Sequence, residues 1–178
     1  MLGLVKGEFR LVDYDAKWKE LFVEERCRLE KMLGSNILRI EHVGSTSLTI
    51  MAKPVIDMAI GMDDLEKVKN CVKILESFPE YVYKGENGIE GRHLFAKYNG
   101  AKGTHHIHFQ LIGSANWENQ ILFRDFLLDN PREMQQYEAL KKNLVVTAKT
   151  RLEYTESKDE FIKKIIVKAK EAGYSAKI

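Results

Sequence analysis

Apolar residues recur along the chain with two different periods, which predict helices near both ends and strands between them. Steps of three or four residues connect a set that is apolar at all but one position and predicts a helix over about 15–33: Trp18, Leu21, Phe22, Glu25, Leu29 and Met32. The same spacing predicts further helices over 63–78, 115–129, 131–148 and 154–172. Short apolar or alternating runs predict strands over 8–12, 36–43, 54–61, 80–84, 91–98 and 104–112.

This order of elements predicts an α+β fold: a mixed β-sheet with flanking helices and a helical C-terminal part. We expect one domain over 1–178, with a sheet-containing core over 1–113 and C-terminal helices over 114–178. The composition agrees with this prediction, because 44% hydrophobic residues are enough to build a packed core.

The strand predicted over 54–61 carries a carboxylate between apolar residues. Alternation puts Ile56, Met58 and Ile60 on one face, and it puts the carboxylate on the other face, with Val55, Asp57, Ala59 and Gly61. Small neighbours leave room for a ligand beside Asp57. The structural alternative is that Asp57 pairs with an arginine or caps a loop.

The turn before this strand has residue types that can bind phosphate. In "GSTS", Gly44 allows a close approach to the backbone, and Ser45, Thr46 and Ser47 supply hydroxyl donors. Such turns are also common as purely structural features.

Two basic residues extend this candidate phosphate site. Lys53 precedes the strand of Asp57, and Arg92 opens a later strand. Arginine favours phosphate because its donors form a two-pronged fork. Arg92 therefore contacts a ligand phosphate, pairs with Asp57, or remains a solvated surface residue.

Histidines in "THHIHFQLI" offer a second set of ligands. His105 shares the core face with Ile107 and Phe109, whereas His106 and His108 point to the other face. If their strand neighbours that of Asp57, two imidazoles and one carboxylate meet. That set suits Zn²⁺, Mn²⁺ or Fe²⁺ better than Mg²⁺. Alternatively, the histidines hydrogen-bond to neighbouring protein groups and hold no metal.

Five motifs resemble the GrpB family of mostly uncharacterised proteins: "HVGSTS", "AKPVIDM", "HHIHFQ", "FRDFLLDNP" and "YEALKKNL". The resemblance runs from about Tyr14 to Ala169. A Gly-Ser turn followed by an Asp in an apolar strand also resembles the nucleotidyltransferase superfamily typified by DNA polymerase beta. This resemblance implies a nucleotidyltransferase-like fold, with Gly44 and Ser45 at the phosphate turn and Asp57 as the first metal-binding carboxylate. The second carboxylate of that pattern falls at Ala59.

Three functions follow as hypotheses. The first is transfer of a nucleotidyl or phosphoryl group to an unknown acceptor, with Asp57 as the catalytic residue and with Asp57, His106 and His108 holding a divalent ion (Mg, Mn or Zn). The second is a catalytically degenerate module that binds a nucleotide or another phosphorylated small molecule. The third is a metal-dependent phosphoester hydrolase that uses the histidines.

Charge, hydropathy and cysteine spacing limit the expected binding partners and cellular location of the protein. A net charge of +2 argues against a dedicated nucleic-acid binder. No apolar run approaches the roughly 18 residues of a membrane span, and the N-terminal residues lack the pattern of a signal peptide. Cys27 and Cys71 have no paired spacing, so we expect reduced cysteines and a cytoplasmic protein.

Overall fold

A computed structural model of the protein describes residues 2–148 and 150–176. Its strands are β1 (Leu4–Val5), β2 (Arg39–Val43), β3 (Ile56–Met62), β4 (Tyr81–Tyr83), β5 (Arg92–Asn99) and β6 (Lys102–Leu111). Its helices are α1 (Lys17–Leu33), α2 (Val68–Leu75), α3 (Ala115–Asp129), α4 (Pro131–Thr147), α5 (Arg151–Glu156) and α6 (Asp159–Glu171). The α+β class is therefore confirmed.

The strands form one mixed sheet in the order β2-β3-β6-β5-β4, with β1 added beside β6. Strands β3 and β6 run parallel, and each of the other pairs runs antiparallel. A parallel pair needs a long crossover, and here the chain between β3 and β6 includes α2, β4 and β5. This crossover places two strands that are distant in sequence side by side at the centre of the sheet.

Helices α1 and α2 cover one face of the sheet. That face carries Ile56, Met58 and Ile60, which are fully buried against apolar residues of the two helices. The pattern along β3 predicted this core face correctly. Burying these side chains supplies most of the driving force for docking the helices, since apolar burial stabilises by about 25 cal/mol per Å².

The C-terminal helices cover the opposite face. Apolar residues of α3, α4 and α6 pack on one another and on Leu48 and Ile50. Beside this second cluster, Trp117 and Ile121 of α3 pack on Val43 and Ala59 of the sheet. The candidate residues of the second sheet face therefore lie between the sheet and the C-terminal helices.

Three predictions about elements were wrong in part. The segment 8–12 is not a strand; Val12 forms a single bridge to Ala52, and the leading strand is β1. Other contacts take the place of backbone strand pairing in this segment. Arg10 forms an ion pair with Glu8, and Phe9 packs on Tyr154.

The other two errors concern helices. The helix predicted over 154–172 is divided into α5 and α6, because the chain turns at Ser157 and Lys158. The helix predicted over 63–78 opens with a 3₁₀ turn, Leu65–Lys67, and its N-terminal cap is Asp64. The Asp64 carboxylate accepts a hydrogen bond from the Glu66 backbone N–H at 2.8 Å.

Within residues 2–148 and 150–176, no helix has both the length and the apolar character that a membrane crossing requires.

Candidate functional site

The centre of the site is a carboxylate between two imidazoles. The parallel register pairs Asp57 with His106 and Ala59 with His108, so all three polar side chains project from the same face. The Nδ1 of His106 donates a hydrogen bond to Asp57 Oδ1 at 3.0 Å, and His108 Nε2 lies 3.8 Å from the same oxygen. The structure thus brings together the three residues that alternation placed on one face.

The histidines keep Asp57 charged. Burial raises the pKa of Asp57, but hydrogen bonds and charge from His106 and His108 outweigh it and hold that pKa well below its usual range. Burial lowers the pKa of His108, although the charge of Asp57 opposes this effect. The Nδ1 of His108 is buried, and no group in the described part of the chain hydrogen-bonds to it.

Gly44 allows the backbone to pass directly beside Asp57. Its φ of 69° and ψ of −170° lie in a region that glycine alone occupies readily. A Cβ at this position would overlap with Asp57 Oδ2. The glycine of the "GSTS" turn is therefore required by the carboxylate that follows it thirteen positions later in the chain.

The hydroxyls of the turn have different environments. Ser45 faces the site, and its Oγ lies 3.4 Å from the hydroxyl of Tyr137. Thr46 and Ser47 are buried, and their hydroxyls bond to the His42 ring at 3.0 Å and the Gly44 carbonyl at 2.7 Å. We therefore leave Thr46 and Ser47 out of the candidate phosphate-binding set. His42 also stacks on Phe22, in agreement with a structural role.

Two clefts meet at Asp57. The helix cleft, of about 290 Å³, lies between the sheet and the C-terminal helices and is lined by Val43, Gly44, Ser45, Asp57, Arg92, His108, Asn119, Gln120, Phe123, Tyr137, Lys158, Ile162 and Ile166. The lysine cleft, of about 340 Å³, is lined by Leu4, Val5, Lys6, Glu8, Ser45, Lys53, Val55, Asp57, Ala96, Tyr98, Gly103, His106, Tyr154, Thr155 and Lys158. Ser45, Asp57 and Lys158 line both clefts.

Arg92 lies in the helix cleft as a half-buried cation. Burial lowers its pKa, and the negative charge of Asp57 opposes this effect. Its Nε is buried without a hydrogen-bond partner, and no described carboxylate forms an ion pair with it. Of the three roles considered for Arg92, the direct ion pair with Asp57 is therefore not found, and a fully solvated position is also excluded.

Lys53 lies in the other cleft. Its Nζ is 4.5 Å from the ring centre of Phe9 and 4.2 Å from that of Tyr154. Lys158 contacts the same tyrosine ring, at 4.3 Å. The two basic residues proposed from the sequence as phosphate ligands, Lys53 and Arg92, are thus on opposite sides of Asp57.

The sequence did not indicate several of the residues that line the two clefts. They come from α3, α4, α5 and the turn before α6, and they include Asn119, Tyr137, Tyr154 and Lys158. Each lies in a stretch whose apolar residues are spaced as in a packed helix, and this spacing carries no sign of a binding role. No local signal distinguishes them, because their role depends on how the C-terminal helices dock on the sheet.

The site has the wrong residues for a pair of Mg²⁺ ions. Ala59 is fully buried and packs with Val43, Trp117 and Ile121, so position 59 does not reach either cleft. Among the residues that the structure describes, no group of three or more His, Cys, Asp or Glu side chains is arranged to hold a metal ion. Mg²⁺ prefers oxygen ligands in near-octahedral geometry, and a single carboxylate supplies too few.

Comparisons with known proteins identify the family. Residues 8–168 match the family model described as GrpB protein. The UPF0157 protein YqkA of Bacillus subtilis is 40% identical over 160 residues, which are 89% of this chain but 46% of YqkA. The glutamate-rich protein GrpB of Alkalihalophilus pseudofirmus is 35% identical over 173 residues, covering 93% of this chain and 98% of that protein. The crystal structure of conserved protein GrpB from Enterococcus faecalis shares the fold, with a TM-score of 0.82, 34% identity and coverage of 92% and 98% of the two chains.

Proposed function

The chain belongs to the GrpB family, and from this premise and the geometry of the helix cleft we propose that it binds a nucleotide or another small phosphate-bearing molecule. The phosphate would lie against Arg92, Lys158 and Ser45. The resemblance of the Gly-Ser turn and Asp57 to nucleotidyltransferases supports the same class of ligand.

One observation carries this proposal: Arg92 is half-buried, and none of the carboxylates that the structure describes pairs with it. A buried charge is costly unless it is paired, so a bound anion would offset a burial cost that the negative charge of Asp57 opposes only in part. The guanidinium fork matches phosphate oxygens, and the small residue Gly44 leaves the backbone accessible in the same cleft.

The opposite wall of the helix cleft fits the apolar part of such a ligand. Phe123, Tyr137, Ile162 and Ile166 form this wall. An apolar wall with a few convergent polar groups is typical of small-molecule sites. The ring of a nucleoside base would lie against these side chains while its phosphate reaches Arg92.

Binding, rather than two-metal transfer, is the function that the geometry supports best. The buried Ala59 supplies no second carboxylate, so we derive no catalytic step through a Mg²⁺ pair. The proposal therefore corresponds to the degenerate binding module among the hypotheses from the sequence. Transfer of a nucleotidyl group through two Mg²⁺ ions would need further metal ligands from another source.

The experiment is isothermal titration with AMP, which carries one phosphate and one base. We expect one AMP per chain, and binding about 10- to 100-fold weaker in Arg92→Ala, since hydrogen bonds to charged groups are worth about 1.5–3 kcal/mol. Arg132→Ala, an exposed position on α4, is the matched control and should bind as the wild type does. Absence of binding to AMP, ADP and ATP, or equal affinity in Arg92→Ala, would reject the proposal.

A divalent ion at Asp57, His106 and His108 is a second candidate. As they stand, the three groups are not arranged around an ion, because His106 bonds directly to Asp57; a bound ion would replace that hydrogen bond. The types of donor, two imidazoles and one carboxylate, suit Zn²⁺ or Mn²⁺. Such an ion would polarise a phosphoryl oxygen and support phosphoester hydrolysis. Titration with Zn²⁺, Mn²⁺ and Mg²⁺ tests it: we expect binding of Zn²⁺ or Mn²⁺ that is lost in His108→Asn, and absence of heat with all three ions would eliminate it.

A further inference from the structure

The lysine cleft lies on the side of Asp57 away from Arg92 and has a different character from the helix cleft. Three lysines line it, Lys6, Lys53 and Lys158, against two carboxylates, Glu8 and Asp57. The helix cleft has a wall of aromatic and branched apolar side chains, whereas the charged groups of the lysine cleft come from three separate parts of the chain, residues 6–8, 53–57 and 158.

Aromatic rings hold two of these lysines in place. The ammonium of Lys53 lies over Phe9 and Tyr154, and that of Lys158 lies over the same Tyr154 ring, which is 1% exposed. A cation over a ring face is attracted by about 0.5–2 kcal/mol. The two charges are thereby held on the cleft wall, so a bound anion would cost less side-chain entropy than it would with two mobile lysines.

The two carboxylates of the lysine cleft are already engaged within the protein. Glu8 pairs with Arg10 at 2.6 Å and accepts a hydrogen bond from the Val5 backbone N–H at 3.2 Å. Asp57 accepts its hydrogen bond from His106. Glu8 is thus paired with Arg10, and Asp57 keeps its charge beside the His106 N–H. Counted over the described lining residues, three lysines against two carboxylates give the cleft a net charge of +1.

We infer that the lysine cleft is a second anion-binding site, which takes the phosphate or carboxylate group of a small molecule distinct from the ligand of the helix cleft. Ser45, Asp57 and Lys158 border both clefts, so two ligands bound together would meet at Asp57. Anion binding by the lysine cleft stands by itself; only the meeting of two ligands at Asp57 rests on the proposed function.

The test is a titration of pyrophosphate into the full chain saturated with AMP, with succinate in a parallel titration to distinguish phosphate from carboxylate. We expect one molecule of either probe to bind beside AMP. Lys53→Gln should weaken this second event about tenfold, as for one lost contact to a charged group, and leave AMP affinity unchanged. Lys31→Gln, an exposed lysine on α1, is the matched control.

Arg92→Ala completes the design, because it should weaken AMP binding and leave pyrophosphate binding intact. If pyrophosphate competes with AMP and depends on Arg92 but not on Lys53, there is a single anion site; the inference then fails and the proposed function stands. If AMP does not bind but a probe binds with dependence on Lys53, the proposed function fails and the inference stands. Absence of binding by both probes also overturns the inference. Lys6→Gln, at an exposed position, repeats the test should Lys53→Gln unfold.

Discussion

At the scale of single residues, the site depends on the close contact of Asp57 with Gly44. The carboxylate has one oxygen toward His106 and the other against the Gly44 backbone. The histidines stabilise the charge, and the glycine gives it space. Neither Gly44 nor Asp57 can therefore be changed without affecting the environment of the other.

We expect Gly44→Ala to lower the free energy of unfolding by about 1–3 kcal/mol, because alanine is strained at this backbone conformation and its Cβ overlaps with Asp57. Urea denaturation of Gly44→Ala, Asp57→Ala and the double variant measures the coupling. Part of the cost should vanish in the double variant, giving an interaction of about 0.5–3 kcal/mol. Strictly additive costs would show that the two residues do not constrain each other.

At the scale of elements, successive outward positions of β3 have three different surroundings. Asp57 opens onto both clefts, and Ala59 lies under α3. A side chain at Gly61 would collide with Ile112 and Trp117. Helix α3 thus covers the C-terminal half of this strand face, and the site is confined to the N-terminal half.

The burial of position 59 leads to a second prediction. Ala59→Asp should lower the free energy of unfolding by about 3–5 kcal/mol at pH 7.5, since it buries an uncompensated charge beside Trp117 and Ile121. Burial would raise the pKa of the new carboxyl, so stability is retained while the group is protonated and is lost as the pH rises. The destabilisation should therefore be smaller at pH 5.

Ala59→Asn is the control for the preceding variant, because it has nearly the same shape and no charge. Its stability should change little between pH 5 and pH 7.5 relative to the wild type. Should Ala59→Asp instead remain as stable as the wild type and gain Mg²⁺ binding by titration, position 59 would face the cleft and the two-carboxylate hypothesis would return.

At the scale of the whole molecule, the sheet separates two apolar clusters with different tasks. The cluster under α1 and α2 holds the sheet together from one side. The cluster among α3, α4 and α6 positions the wall of the helix cleft, because Ile162 and Ile166 of α6 line that cleft and Ile165 is buried behind them. Both faces of the sheet thus contribute to stability, whereas ligand binding depends only on the face covered by the C-terminal helices.

Matched cavity variants test this separation. Leu29→Ala and Ile165→Ala remove fully buried side chains from the first and second cluster, and each should cost about 2–5 kcal/mol of stability. At a temperature where both variants are folded, AMP affinity should fall in Ile165→Ala and remain at the wild-type value in Leu29→Ala. Calorimetric titration with AMP measures this difference. An equal loss of AMP affinity in both variants would contradict the idea that only the second cluster supports ligand binding.

The sequence by itself determined most elements and their faces. Helix α3 has the predicted bounds, and the core face of β3 follows from alternation alone, because a strand side chain can point in only two directions. The common face of Asp57, His106 and His108 was also predictable once two strands were assumed to be neighbours. The strand predicted over 8–12 failed because contacts with Tyr154, far along the chain, decide the conformation of that segment.

The tertiary structure alone decided which of the candidate residues share a cavity. The docking of α3 buried Ala59, and the turn between α5 and α6 placed Lys158 in the wall of the clefts that Asp57 also lines. Lys53 and Arg92, both proposed as phosphate ligands, proved to border different clefts. Periodicity reports the direction of a side chain relative to its own element. Which surfaces meet depends on the packing of whole elements, and this is a property of contacts between residues that are distant in sequence.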